Sequence, residues 1–371
     1  MQRIKSVDAF RGLCIFYMLL GHMLVWWIIE EQFWMHFYLR KIFEIIGVSG
    51  FLFASGISTV LSLRNSLEKV EKNPRYTQGD LLRESYQRAT LYLVFALLYN
   101  GLTVSLVTFI NEGIVIGLWS LWSWYILLTI AICLFFAYPL IKINKTTRVI
   151  IAVFCIFITY PIFESLNNLR ENNFGYAVLF HLLFSASHED PILPFFGFYC
   201  LGTVLGDIYY EVYSIEDEAL KKEQVKNTII KNFLIAGILL VITSIILSLF
   251  VFDDLSAGFD KGSFAWMWYA IGCDILILAG LTYLHEFKLS PEWRHPFLFY
   301  FSYYSLTIYI VHNIVAPLFW AKLDIFWIWP ANITTTIIIW YIFKKIYNKY
   351  GSKASLKSAI SKMVKDKSNL K

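Results

Sequence analysis

Apolar residues run along this chain in long blocks rather than in the two- or three-to-four-residue alternation of a water-facing fold. An α-helix needs about 20 mostly apolar residues to cross a ~30 Å hydrocarbon layer. Ten blocks reach or approach that length: Phe10–Ile29, Ile45–Leu63, Ala89–Phe109, Ser120–Ile141, Val149–Phe163, Pro194–Tyr210, Phe233–Phe252, Ala265–Leu284, Phe297–Trp320 and Ile325–Tyr347. The fifth and sixth are short, so tilt, a re-entrant path or flanking residues would have to complete them. The pattern predicts an all-α, polytopic membrane bundle of about ten helices over residues 1–349. After Tyr350 the chain turns basic and polar, with Leu356, Ile360, Met363 and Val364 spaced for one helical face. That tail, residues 350–371, is expected either as a short amphipathic helix on an anionic leaflet or as a disordered basic segment.

Composition agrees: 58% of the residues are apolar or aromatic and only 16% charged, against roughly 45–50% and about 25% in soluble domains. An ordinary cytosolic enzyme, a disordered chain and a disulfide-stapled miniprotein are excluded. The five cysteines fall within the apolar blocks, with no CxxC pair or loop cysteine to suggest a disulfide or a zinc site. The first block is too long for a signal peptide and lacks a small-residue cleavage site.

Charge gains meaning when sorted by side. With ten crossings both termini share one side, which then holds 27 of the 32 Lys and Arg and 14 acids, while the other side holds 5 and 12. Basic residues near spans are retained inside, so both termini are expected in the cytoplasm, in a cell-membrane protein. The net charge of +5 is a sum over two opposite faces, and the positive one suits a polyanionic cytosolic ligand.

Ionisable residues at membrane depth are costly and mark candidate sites. Arg11 and His22 in the first block lie eleven residues apart, about 16 Å of helical rise and about three turns, hence on nearly one face at two depths. Arg offers permanent, bidentate recognition of phosphate, and neutral imidazole offers a general base near pH 7. Equally, Arg11 would serve as a rim residue paired with Asp8 one turn away, and His22 as a packed, backbone-bonded histidine. His312 interrupts the ninth block and Asp274 the eighth. Asp274 is a candidate to orient an imidazole, to cap a kink or to bind a proton or sodium ion. The loop bases Arg64 and Arg88 are candidates for donor phosphates, although topology alone would place basic residues there. On the other side, His36, Glu164, His181, His188, Glu189, Asp190, Asp253, Asp254 and Asp260 form a polar surface able to bind a sugar or simply to be solvated. His188-Glu189-Asp190 has no metal-ligand spacing, so no metal is expected, and no Walker A or dinucleotide turn is present. Small residues from Ser49 through Gly56 are accounted for by close helix packing.

Ser6-Val7-Asp8-Ala9-Phe10-Arg11-Gly12, followed by His22, resembles the opening of the transmembrane acyltransferase superfamily. The Ser-Val-Asp-x-Phe-Arg-Gly form is most similar to the heparan-alpha-glucosaminide N-acetyltransferase branch, and the Arg-x10-His spacing is shared with the membrane acyltransferase-3 family. Phe51–Arg64, Phe195–Gly206 and Pro296–His312 resemble later family stretches in the family's order. The resemblance implies transfer of an acyl group, most often acetyl, from cytosolic acyl-CoA to a hydroxyl or amine of an extracytoplasmic glycan or glycolipid. It implies His22 as base or transient acyl carrier and Arg11 toward the donor. The heparan-type branch often carries an Asn-like residue where His22 stands and a histidine further on, and His36 is the nearest candidate for that second role. Nucleic acid is not an expected partner. A transporter or flippase of a glycolipid or organic anion, and a catalytically silent scaffold, are the competing readings.

Overall fold

The computed structural model describes residues 3–112, 121–184, 190–251, 263–289 and 296–368. His188, Glu189, Asp253, Asp254 and Asp260 lie outside them. Every regular element among the described residues is helical: α1 (Lys5–Trp27), α2 (Trp34–Lys72), α3 (Gln78–Glu112), α4 (Ile126–Lys142), α5 (Lys145–Leu169), α6 (Phe174–Leu183) and α7 (Ile192–Tyr213). There follow α8 (Glu218–Gln224), which runs through a π turn into α9 (Asn232–Val251), then α10 (Phe264–Tyr283), α11 (Pro296–Tyr303), α12 (Ser305–Val311), α13 (Ile325–Tyr350) and α14 (Leu356–Ser368). Several starts are written in the sequence. Asn144, Asn173, Asp217 and Asp324 cap α5, α6, α8 and α13 by accepting from backbone N–H groups of the first turn.

Seven helical stretches among the described residues are long and apolar enough to cross a membrane, and Ile126–Lys142, Phe174–Leu183 and Ser305–Leu318 are shorter apolar helices. The outer face of α9 presents Leu234, Ile235, Ile238, Leu239, Ile242, Ile246 and Leu249, all exposed, a surface that only lipid solvates favourably.

Two expected spans differ in form. Over Ser120–Ile141 the helix begins only at Ile126, because side chains hold the preceding carbonyls: Asn100 Nδ2 donates to Leu121 O and Ser123 O at 3.2 and 2.6 Å. The span expected over Phe297–Trp320 is broken at Tyr304 and again at His312, where α12 gives way to a 3-10 segment, His312–Leu318. Pro317, which has no N–H, lies in that segment. The apolar helix α6 falls between the expected fifth and sixth spans.

The chain divides into two compact units. The first comprises Met1–Ala54, Glu211–Asp260 and Trp268–Lys362. In it α1 packs along α11, α12 and α13, and the crossing with α11 is close: a Cβ on Gly12 would stand 2.2 Å from Leu298 O. Beyond α13 the chain turns at Gly351, whose φ of +53° favours glycine. The Tyr304 hydroxyl donates to Gly351 O at 2.6 Å and Leu356 N–H donates to Thr307 Oγ1 at 3.1 Å. The start of α14 is therefore anchored, with Ile360 buried.

The second unit comprises Ser55–Tyr210, Lys261–Met267 and Met363–Lys371. There α3 packs on α4 and α5 on α6, the latter pair around Leu166, Phe180 and Phe184. Gly56 lies against α7, where a Cβ would meet Tyr199 O at 2.4 Å, which accounts for the small-residue stretch in α2. The unit also contains a buried ion triple. Arg64 Nε contacts Asp207 Oδ1 at 2.7 Å, and Arg148 Nη2 bonds Asp207 Oδ2.

Candidate active site

One face of α1 carries the site's two ends. At its start Arg11, 8% exposed, turns inward. Its Nε and Nη2 donate to Ser302 Oγ of α11 at 3.1 and 3.0 Å, and Nη2 also reaches Asp8 Oδ1 at 2.9 Å. Asp8 pairs with Arg3 as well. The expected one-turn Asp8–Arg11 pair is present, joined to a hydroxyl 291 residues away in sequence.

Three turns on, His22 Nδ1 lies 2.7 Å from Nε2 of His312. The other ring nitrogen of His312, Nδ1, bonds the Tyr309 carbonyl. A carbonyl only accepts, so in the neutral pair Nδ1 of His312 carries its proton and Nε2 is an acceptor. His22 must then donate from Nδ1, which places its basic lone pair on Nε2. Two constraints from remote sequence thus fix a tautomer that α1 alone leaves undetermined. Trp26 stacks on His312 and lies tilted to His22, with centroids 5.4 and 5.3 Å away.

The broken helix is what delivers His312. At membrane depth, backbone released from a helix must find other partners. Trp27 Nε1 donates to Ala316 O and Val315 O at 3.1 and 3.3 Å. Beyond them Ala321, Lys322 and Leu323 donate backbone N–H groups to Trp26 O and Trp27 O, and Ile29 N–H returns to Leu323 O at 3.0 Å. Asn332 of α13 adds a bond from Nδ2 to Leu20 O at 3.0 Å. The end of α1 and the His312 segment are therefore one clamped structure.

Asp274 of α10 is fully buried, and among the described residues neither carboxyl oxygen accepts a hydrogen bond. It stands against Gly50 and beside Cys14. The Ser49 hydroxyl next to it bonds Ile45 O of its own helix. Cys14 precedes His22 by eight residues, about 12 Å of rise, so Asp274 sits at the level of the Arg11 end rather than beside the imidazoles.

The family profile of the heparan-alpha-glucosaminide N-acetyltransferase catalytic domain matches residues 3–237. The chain belongs to that family. No individual curated relative matches it. Membership makes this a multi-pass membrane acetyltransferase, an enzyme of the acyltransferase class, in line with its membrane-competent helices. Arg11 and His22 lie inside the matched stretch, whereas Ser302, His312 and Asp274 lie beyond it.

The other candidates are placed separately. Arg64 is engaged with Asp207, with Nη2 also 3.5 Å from Ile141 O, and its side chain is 32% exposed. Arg88 is half-buried on α3. His36 belongs to α2, and its side chain lies outside the described residues. His181 supplies a carbonyl to Trp124 Nε1 at 2.9 Å, and Asp190 N–H donates to Trp124 O at 2.8 Å. Both therefore help to order the start of α4. Ser302, Trp26 and Asp207 did not emerge from the sequence as site or framework residues. Ser302 and Asp207 carried a faint signal, as polar groups in or beside apolar blocks.

Proposed function

We propose that this chain transfers an acetyl group from acetyl-CoA on the cytoplasmic side to a hydroxyl or amine of an extracytoplasmic sugar, with His22 as general base and residues 1–349 carrying the reaction. The single observation that supports it best is the contact of His312 with His22, which lies on the same helix as Arg11. Arg11 meets a phosphate of the donor and the thioester reaches along α1 toward the pair. His22 Nε2 takes the acceptor's proton as its oxygen or nitrogen attacks the thioester carbonyl, the C–S bond breaks, and the imidazolium returns that proton to the departing thiolate. His312 holds the tautomer and stabilises the imidazolium as it forms. The excess of basic residues on the side of the termini supports a cytoplasmic donor face in the cell membrane.

The test is acetyl-CoA turnover by purified protein with an amino sugar as acceptor. His22→Ala should lower kcat by about 10²–10⁴-fold, the usual contribution of a positioned base. Full activity in that variant would remove His22 from the base role and direct attention to His36. Flux of an organic anion into liposomes without thioester turnover would establish transport instead.

A further inference from the structure

At the Arg11 end of the first unit, cations and rings gather from three separate stretches of chain. The Arg3 guanidinium lies over the Phe299 and Tyr303 rings, 5.8 and 5.5 Å from their centroids, while its side chain stays 48% exposed. Those rings belong to a larger cluster. Tyr347 packs against Phe299, Tyr300 and Tyr303 with centroids 5.3, 5.5 and 5.2 Å away, and Tyr303 meets Tyr304 at 5.0 Å. The Tyr304 hydroxyl and Thr307 then tie down the turn at Gly351 and the start of α14. This brings the exposed Lys353 and Lys357 to the same end. Asp8 is shared by Arg3 and Arg11, so one carboxylate serves two guanidinium groups and that trio keeps a net positive charge.

From this arrangement we infer that the Arg3–Tyr303–Tyr347 platform, with Lys353 and Lys357 of the C-terminal segment, binds the adenosine bisphosphate end of the donor. A planar base stacks on a guanidinium already supported from below by rings, and on the partly exposed tyrosines beside it. Its phosphates meet ammonium groups that the docked tail supplies. The inference rests on coenzyme A being the donor. It gives the C-terminal segment a task beyond membrane attachment, as the wall of a nucleotide site on α11 and α12. Aromatic and basic residues also anchor helices at lipid headgroups, and the test must separate the two sources of phosphate.

Full-length protein in nanodiscs would be tested for binding of radiolabelled adenosine 3′,5′-bisphosphate, which needs no turnover, and for its competition with acetyl-CoA. Arg3→Gln combined with Lys353→Gln and Lys357→Gln, all exposed positions, should weaken that binding about tenfold, the order set by loss of charge-assisted contacts. The preference for acetyl-CoA over S-acetylpantetheine, which lacks the nucleotide, should fall by a similar factor. Tyr303→Leu should act in the same direction and Tyr303→Phe should restore binding. An equal loss for both donors, unchanged nucleotide binding, or an effect seen only in nanodiscs containing anionic lipid would overturn the assignment. A protein that binds the bisphosphate through these residues yet transfers no acetyl group would overturn the enzyme reading and leave this one standing.

Discussion

In the proposed mechanism the chemistry turns on His312, because its two bonds decide where the proton on His22 sits. His312→Ala should leave the His22 tautomer unfixed and lower kcat by about 10–100-fold, the range seen when a partner that orients a functional imidazole is removed. The KM for acetyl-CoA should move little. Gln at this position can both accept from His22 and donate to Tyr309 O, so His312→Gln should recover part of the loss. Steady-state kinetics on the two variants checks both statements, and equal inactivation would point to a structural fault. His22 and Arg11 were legible in the sequence because an arginine and a histidine in an apolar helix violate its solvent. That His22 faces His312 was not legible. Helical spacing fixes relations within α1, whereas the partner is set by a helix break about 290 residues away. Asp274 was likewise visible as an intruder in its span, but the spacing within one helix gave no hint that it would stand by Gly50 rather than by an imidazole.

The elements show the same division between local and remote information. Most helices followed from apolar length and caps, since both are local. The interrupted span over Phe297–Trp320 did not, because mean hydropathy is blind to the Val315 and Ala316 carbonyls that the Trp27 indole captures and to the N–H groups of 321–323 that return to the end of α1. Of the ion triple in the second unit, the sequence offered Arg64 as a loop base and candidate for donor phosphates, and gave no sign that Asp207 would be its partner. Arg148 is 1% exposed and Asp207 2%, and an ion group of this kind costs most when one member is removed. Asp207→Ala should destabilise by about 3–5 kcal/mol, the usual loss when a buried charge is stranded, measurable as a lower unfolding midpoint in detergent. Arg64→Gln should cost less, because about a third of that side chain is exposed and screened. At the start of α3, Thr77 N–H and its hydroxyl donate to Asp80, and the backbone bond above all holds the Asp80 carboxyl below the usual range. A lowered carboxyl stabilises the fold above its unfolded-state pKa and loses that contribution as pH falls through the folded-state value. Asp80→Asn should therefore speed tryptic cleavage at Arg75 near neutral pH, while the difference from the parent narrows toward acid in a pH-tolerant protease assay.

On the scale of the whole molecule, the uneven distribution of charge carries a prediction of sidedness. Cysteine introduced at Ser352 should react with an impermeant maleimide only after the membrane is opened, and cysteine at Lys322 should react from outside in intact cells. The reverse labelling would invert the proposed direction of acetyl transfer. The same polarity bears on the donor. On the proposed ten-span topology 27 basic residues and 14 acids share one side, so encounter with a polyanion should slow as salt screens that face, and kcat/KM for acetyl-CoA should fall with ionic strength more steeply than for S-acetylpantetheine.

The bond from His312 to the Tyr309 carbonyl also sets a limit on traffic. A proton taken up at Nε2 of His22 can shift its charge toward His312, but the relay ends at a peptide oxygen that has no proton to pass on. Two cations cannot be tolerated 2.7 Å apart in so apolar a place, so the pair stores one proton and no more. In the proposed mechanism it is a cul-de-sac: each proton must leave by the door through which it came, and a second acceptor cannot be activated until the first turnover has discharged its thiol.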